Sequence, residues 1–130
     1  MTNRDATRSM KTHDSTRNTS SHESIAMLAA EHCRPGAPRL AAADIDRALR
    51  TLPGWTLQDG ALSKTFAFAD YYATVAFVNA IAWIAHRENH HPDLSVSYNR
   101  CGVAWSTHDA GGVTRNDLVC AAKVERLAAA

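Results

Sequence analysis

Apolar positions fall into regular spacing from Leu40 onward, and the spacing changes along the chain. Leu40, Ile45, Leu49 and Leu52 recur at helical intervals and predict a short amphipathic helix, which Pro53-Gly54 stops. Residues 55–57 and 62–68 read as two strands around the turn Gln58-Asp59-Gly60, with Leu62, Lys64, Phe66 and Phe68 on one face. Asp70 is placed to cap a long helix over 70–89. Its apolar stripe is Val75, Val78, Ile81, Ala82 and Ala85, widened by Phe77 and Ile84. That helix must stop before Pro92, since a proline disfavours helical geometry at the residue before it.

Leu94, Val96 and Tyr98 then alternate with polar residues, predicting a strand with those three towards a core. Residues 99–102 form a turn, and 103–107 is the returning strand. After the loop Ala110-Gly111-Gly112, Thr114 and Asp117 resemble a capping box with Asp in place of Glu. Leu118, Ala121, Ala122 and Leu127 give the last helix its buried face. The order helix, strand, strand, helix, strand, strand, helix predicts an α+β domain: a four-stranded antiparallel sheet with three helices on one face.

Residues 1–38 have no such periodicity. Up to Ser24 they are rich in Thr, Ser, Asn, Arg and Asp, a composition that cannot offset an ordering cost of roughly 1–2 kcal/mol per residue. Residues 34–38, Arg-Pro-Gly-Ala-Pro, read as a linker. The expectation is a poorly ordered tail over 1–38 and one domain over 39–130. Met10 and Met27 are alternative starts, and Asp5, Asp14 and Glu23 weigh against an amphipathic targeting segment.

With 130 residues, a single domain is expected. Fourteen basic against thirteen acidic residues give a net charge of +1, without the basic excess that direct nucleic-acid binding would call for. No apolar run approaches the ~20 residues of a membrane span, and the apolar residues 25–30 are too few for a secretory signal. Cys33, Cys101 and Cys120 are an odd, widely spaced set with no CxxC. They argue against a disulfide framework and for a cytoplasmic location.

Histidine is the unusual feature: seven residues, three of them in His90-His91-Pro92 and Thr107-His108-Asp109. The predicted hairpin joins these groups, because antiparallel pairing returns His108 beside the turn that carries His90 and His91. His86 lies four residues before His90 and shares its face if the helix continues that far. Imidazole both donates and accepts protons near neutrality, so such a cluster suits acid–base chemistry in an elimination or addition. Three histidines with an open position also describe catalytic zinc, although adjacent residues such as His90 and His91 usually point apart. Solvated histidines at a turn are the plain alternative.

Leu52-Pro-Gly-Trp55, His86, His90-His91-Pro92, Tyr98, Thr107-His108-Asp109, Gly111-Gly112, Thr114 and Asp117 stand in an order and spacing that resembles the pterin-4a-carbinolamine dehydratases. The resemblance covers roughly residues 40–127. It implies loss of water from 4a-hydroxytetrahydrobiopterin to give quinonoid dihydropterin, in recycling the pterin cofactor of aromatic amino-acid hydroxylases. It further implies His90, His91 and His108 as catalytic residues around the carbinolamine carbon. His86, Pro92, Ser106, Thr107 and Asp109 fall at substrate-binding positions, and no metal or organic cofactor is implied. Many members carry a carboxylate where this chain has His86, and Glu88 lies nearly on the opposite side of a helix. The implied partners are the small-molecule pterin, a hydroxylase as functional partner, and further copies of the chain in a homo-oligomer (dimer or tetramer).

Two readings compete with catalysis: a dimerisation cofactor for another protein, the role of animal members with a homeodomain transcription factor, and a pterin-binding protein without turnover. The three intact histidines favour the enzyme. Trp55, Trp83 and Trp105 are expected in the core or an interface, Cys101 as an inert thiol, and Asp117 as a helix-cap residue.

Overall fold

The computed structural model describes residues 24–129. Along them run helices α1 (Ile25–Ala29) and α2 (Ala42–Leu49), strands β1 (Thr56–Gln58) and β2 (Ala61–Ala67), and helix α3 (Tyr71–Glu88). Strands β3 (Asp93–Val96) and β4 (Arg100–Trp105), a 3-10 turn (His108–Ala110) and helix α4 (Arg115–Ala129) follow. From α2 onward this is the predicted order. The sheet is antiparallel throughout, with strands in the order β1-β2-β4-β3. Among the described residues, no helix is long and apolar enough to cross a membrane.

Local chemistry sets most of the boundaries. Asp59 and Gly60 both take positive φ (49° and 78°), the geometry of a two-residue hairpin turn whose twist matches its strands. The Asp70 side chain accepts the amide of Ala73 at 2.8 Å and caps α3.

The sheet is sided by its register. On the inner face Leu62 lies opposite Trp105, Lys64 opposite Val103 and Phe66 opposite Cys101. On the outer face the partners are small or polar, Ser63 with Ala104 and Thr65 with Gly102. Helices α3 and α4 pack on the inner face. There Phe77 of α3 meets Phe66 and Phe68, each at 4.9 Å between ring centroids, and Trp55 meets Phe66 edge-on. Lys64 also points inward, because its ammonium is bound by the Glu125 carboxylate and the Pro53 carbonyl. Of the three tryptophans, Trp55 and Trp105 are buried and Trp83 is exposed.

The structure departs from the sequence expectations in several places. First, the packed fold does not begin at residue 39. Helix α1 lies along α4, and Leu28 is buried in the core. Five helical residues are too few to show a period, so their docking left no trace in the pattern; residues 1–23 lie outside the described residues. Second, the buried face of α3 is Thr74, Phe77, Ile81 and Glu88, rotated from the expected stripe: Phe77 and Ile81 belong to it and Val78 and Ile84 pack half-buried on the core, but Ala82 is exposed. This helix is apolar around most of its circumference, so periodicity alone does not select the inward side. Third, Leu94 is half-buried but Val96 and Tyr98 are exposed. Strand β3 is the sheet edge, and alternation reveals which residues share a face, not whether that face is covered.

Candidate active site

The site is built from the end of α3 and the segment after β4. Asn89 takes the left-handed conformation (φ 52°, ψ 43°), and the His90 amide turns back to the Ala85 carbonyl at 3.1 Å. Asparagine tolerates this conformation, and the fold-back is a standard helix stop. It releases His90, His91 and Pro92 from the helix and leads into β3, whose Asp93 pairs with Ala104. Beyond β4, Thr107 and Gly112 bridge one another and close the 3-10 turn carrying His108 and Asp109; Gly111, at φ 74°, completes it. His108 therefore sits on a clamped turn three residues past Trp105, rather than at the strand's end.

Asn89, His90, His91, Ser106, Thr107, His108 and Asp109 line one cleft of about 240 Å³. Six of the residues singled out from the sequence thus come together. His86 and Pro92 are not among the lining residues. Because the helix ends at Glu88, His86 and His90 share no helix face, and the exposed His86 ring lies 6.0 Å from Trp83. Glu88 serves neither as a site carboxylate nor as a replacement for one at position 86. It is buried and accepts hydrogen bonds from the Cys33 amide (2.7 Å) and from His32 (2.9 Å). Burial pushes its carboxyl up, but these bonds and the nearby Lys123 outweigh burial and hold it below its ordinary value.

His90 is the fixed member of the cluster. Its ring stacks on buried Trp105 with centroids 5.5 Å apart, and its Nε2 lies 2.6 Å from Oδ1 of Asp117, which is fully buried. The other carboxylate oxygen accepts the Thr107 hydroxyl and the Thr114 amide, both at 2.8 Å. Thr107 gives its one hydroxyl proton to Asp117, so it accepts from the Thr114 hydroxyl (2.9 Å), which itself accepts the Asn116 amide (3.2 Å). Every proton in this network points towards the carboxylate. An acceptor-only carboxylate requires the donor form at His90 Nε2 and leaves Nδ1 as the ring nitrogen free for exchange.

Asp117 does cap α4, as the sequence suggests, since it accepts the Thr114 amide. Its hold on His90 is what sequence reasoning missed, because a cap aspartate carries no mark of a second partner 27 positions away. His91 and His108 are exposed, and among the described residues neither has a side-chain partner. Nor do any three His, Cys, Asp or Glu side chains among the described residues form a group suited to a metal ion.

Comparison with known proteins agrees with this architecture. The sequence profile described as "Pterin 4 alpha carbinolamine dehydratase" matches residues 38–127. A Stenotrophomonas maltophilia protein provisionally named pterin-4-alpha-carbinolamine dehydratase is 58% identical over 91 residues, which is 68% of this chain and 78% of that protein. A Nitrosomonas eutropha protein with the same provisional name is 48% identical over 107 residues, 79% of this chain and 95% of the other. Among solved structures, the transcriptional coactivator/pterin dehydratase from Brucella melitensis superimposes with a TM-score of 0.67 at 35% identity. It matches over 69% of this chain and 98% of its own. A pterin dehydratase-like protein identified as a RuBisCO assembly factor in the alpha-carboxysome gives a TM-score of 0.50 at 27% identity, over 58% of this chain and 89% of its own. With the profile spanning the whole sheet and every residue that lines the cleft, the chain belongs to the pterin 4 alpha carbinolamine dehydratase family.

Proposed function

We propose that the chain is a hydro-lyase that removes water from a 4a-hydroxytetrahydropterin. The observation that carries this reading is one cleft with three histidines in two different states, one fixed by a buried carboxylate and two exposed and, among the described residues, without a side-chain partner. Dehydration asks for both states. A protonated imidazole gives its proton to the 4a-hydroxyl as the C4a–O bond breaks. A neutral imidazole takes the proton from N5, and the freed electron pair forms the C4a–N5 double bond of the quinonoid product. The short polar side chains of Ser106 and Asp109 suit the amide-like edge of a pterin, while Thr107 lines the cleft with its hydroxyl committed to Asp117 and Thr114. His91 and His108 are free to reach the reacting atoms, while His90 presents Nδ1 from a fixed ring. The cellular role that accompanies this reading is recycling of a hydroxylase cofactor in the cytoplasm.

The test is stopped-flow dehydration of 4a-hydroxytetrahydropterin with and without protein, before and after chelator treatment. Acceleration that survives chelation is expected; no acceleration over the spontaneous reaction refutes the proposal, and loss restored by zinc returns the metal reading. A binding role without turnover draws on the RuBisCO assembly factor similarity and on the exposed aromatics Tyr71, Tyr72, Trp83 and Tyr98. The same aromatics suit a homo-oligomer, and a monomer mass by light scattering at micromolar concentration removes that part of the reading.

A further inference from the structure

The segment 24–37 precedes the family match, yet it is fastened to the two helices that frame the cleft. Lys123 donates to the Ala29 carbonyl (2.6 Å), and Arg115 forks onto Glu31 (2.9 and 2.5 Å). Asn116 exchanges two hydrogen bonds with the Arg34 backbone (2.9 and 2.8 Å), while the Cys33 amide is held by Glu88. Within this contact two thiols meet, with Cys33 Sγ 3.5 Å from Cys120 Sγ. Cys33 is half-buried and Cys120 is buried, while Cys101 lies buried in β4. Sulfurs 3.5 Å apart are in van der Waals contact, and closing to a bond of about 2.05 Å needs a shift of about 1.5 Å between them. The neighbouring hydrogen bonds hold the Cys33 backbone in place, so the pair is presented without a conformational search.

We propose that Cys33 and Cys120 form a reversible intramolecular disulfide, a redox modification site that locks the N-terminal arm onto α4. The oxidant is a small hydroperoxide. Cys33, the accessible thiol, attacks as its thiolate. A sulfur–oxygen bond forms, the peroxide O–O bond breaks, and the departing oxygen leaves as water, giving a sulfenic acid. Cys120 then attacks that sulfur, the S–S bond forms, and the hydroxyl leaves with the Cys120 proton as a second water. Two thiols lose two electrons and two protons, and one peroxide becomes two waters. The order follows from the environments: the hydrogen bond to Cys33 and then burial push the Cys120 thiol strongly up, so it keeps its proton until the second step. The site is independent of the substrate of the cleft.

The experiment treats the purified full-length chain with a few equivalents of hydrogen peroxide, followed by intact mass and non-reduced peptide mapping. A mass loss of about 2 Da, reversed by dithiothreitol, is expected, with one peptide pair joining Cys33 to Cys120. The bond closes a separation of 87 residues, so the melting temperature should rise on the order of 10 °C and fall back on reduction. Cys33→Ser, at the more accessible thiol, should fold normally and show neither change. Oxidation that stops at Cys33 as a sulfenic or sulfinic acid overturns the proposal. So does a link from Cys33 to Cys101 or to a second chain, and so does the absence of any reaction.

Discussion

Replacing Asp117 with asparagine isolates what the buried carboxylate does. In the native network one oxygen accepts from Thr107 and Thr114, and the other accepts from His90 Nε2. Asparagine keeps the shape but has one oxygen and one NH₂ group. If the NH₂ group faced Thr107 and Thr114, two buried donors would lose their acceptor, at about 1–3 kcal/mol each. If it faces His90 instead, the cost is one charge-assisted hydrogen bond exchanged for a neutral one, about 1–2 kcal/mol. The second arrangement wins, and it requires His90 Nε2 to accept, which moves the ring proton to Nδ1. Asp117→Asn should therefore fold, lose a few degrees of melting temperature, and hold His90 in the reversed tautomer. With Nδ1 blocked, turnover should fall by about 10²–10⁴-fold. Stopped-flow dehydration measures the rate, nitrogen NMR of the imidazoles reads the tautomer, and near-UV circular dichroism monitors packing. Full turnover with the reversed tautomer would refute the role given to Nδ1. Lost turnover with the native tautomer would refute the role given to Asp117.

His108→Ala should cut turnover by roughly 10²–10⁴-fold with the fold intact, while His86→Ala, whose ring lies against Trp83 outside the cleft, should cost less than about tenfold. The opposite ranking would show that the reacting histidines are wrongly assigned. A chain beginning at Ser24 should keep its melting temperature. One beginning at Arg39 should lose on the order of 10 °C, because it gives up burial of Leu28, about 2–3 kcal/mol, and the partners of Glu88. Equal melting temperatures would show that the arm contributes nothing. Glu88 should mark the acid side of the stability profile. Its folded pKa lies below its ordinary value of 4.5, so its stabilisation is full above that pH and is lost as pH falls through the folded value. Denaturant titrations between about pH 3 and 6 should show a shallower acid slope for Glu88→Gln; an unchanged slope would mean that the carboxylate is not coupled to folding.

Much of the architecture was legible because its signals are local. Asp70 capping α3 and Asp59-Gly60 turning the first hairpin act within a few residues, so the chain's own spacing reveals them. The meeting of His90 and His91 with His108 was legible for a related reason: a hairpin between fixed turns returns its second strand to a known place. The tertiary structure decided what depends on distant partners. On α3, apolar on most sides, Phe77 and Ile81 were legible as inward residues, but only the sheet and α4 decided that Thr74 is buried and Ala82 exposed. The left-handed turn at Asn89, one residue past the end of α3, separated His86 from the cleft, although spacing alone would place it with His90. Asp117 reads locally as a cap, and it became the anchor of His90 only when α4 packed beneath β4. Helix α1, too short to carry a period, gained its place from Leu28 in the core and from ion pairs and hydrogen bonds to α3 and α4. Pairings between residues far apart have no local energetic signature, so their geometry emerges only when the packed fold brings the partners together.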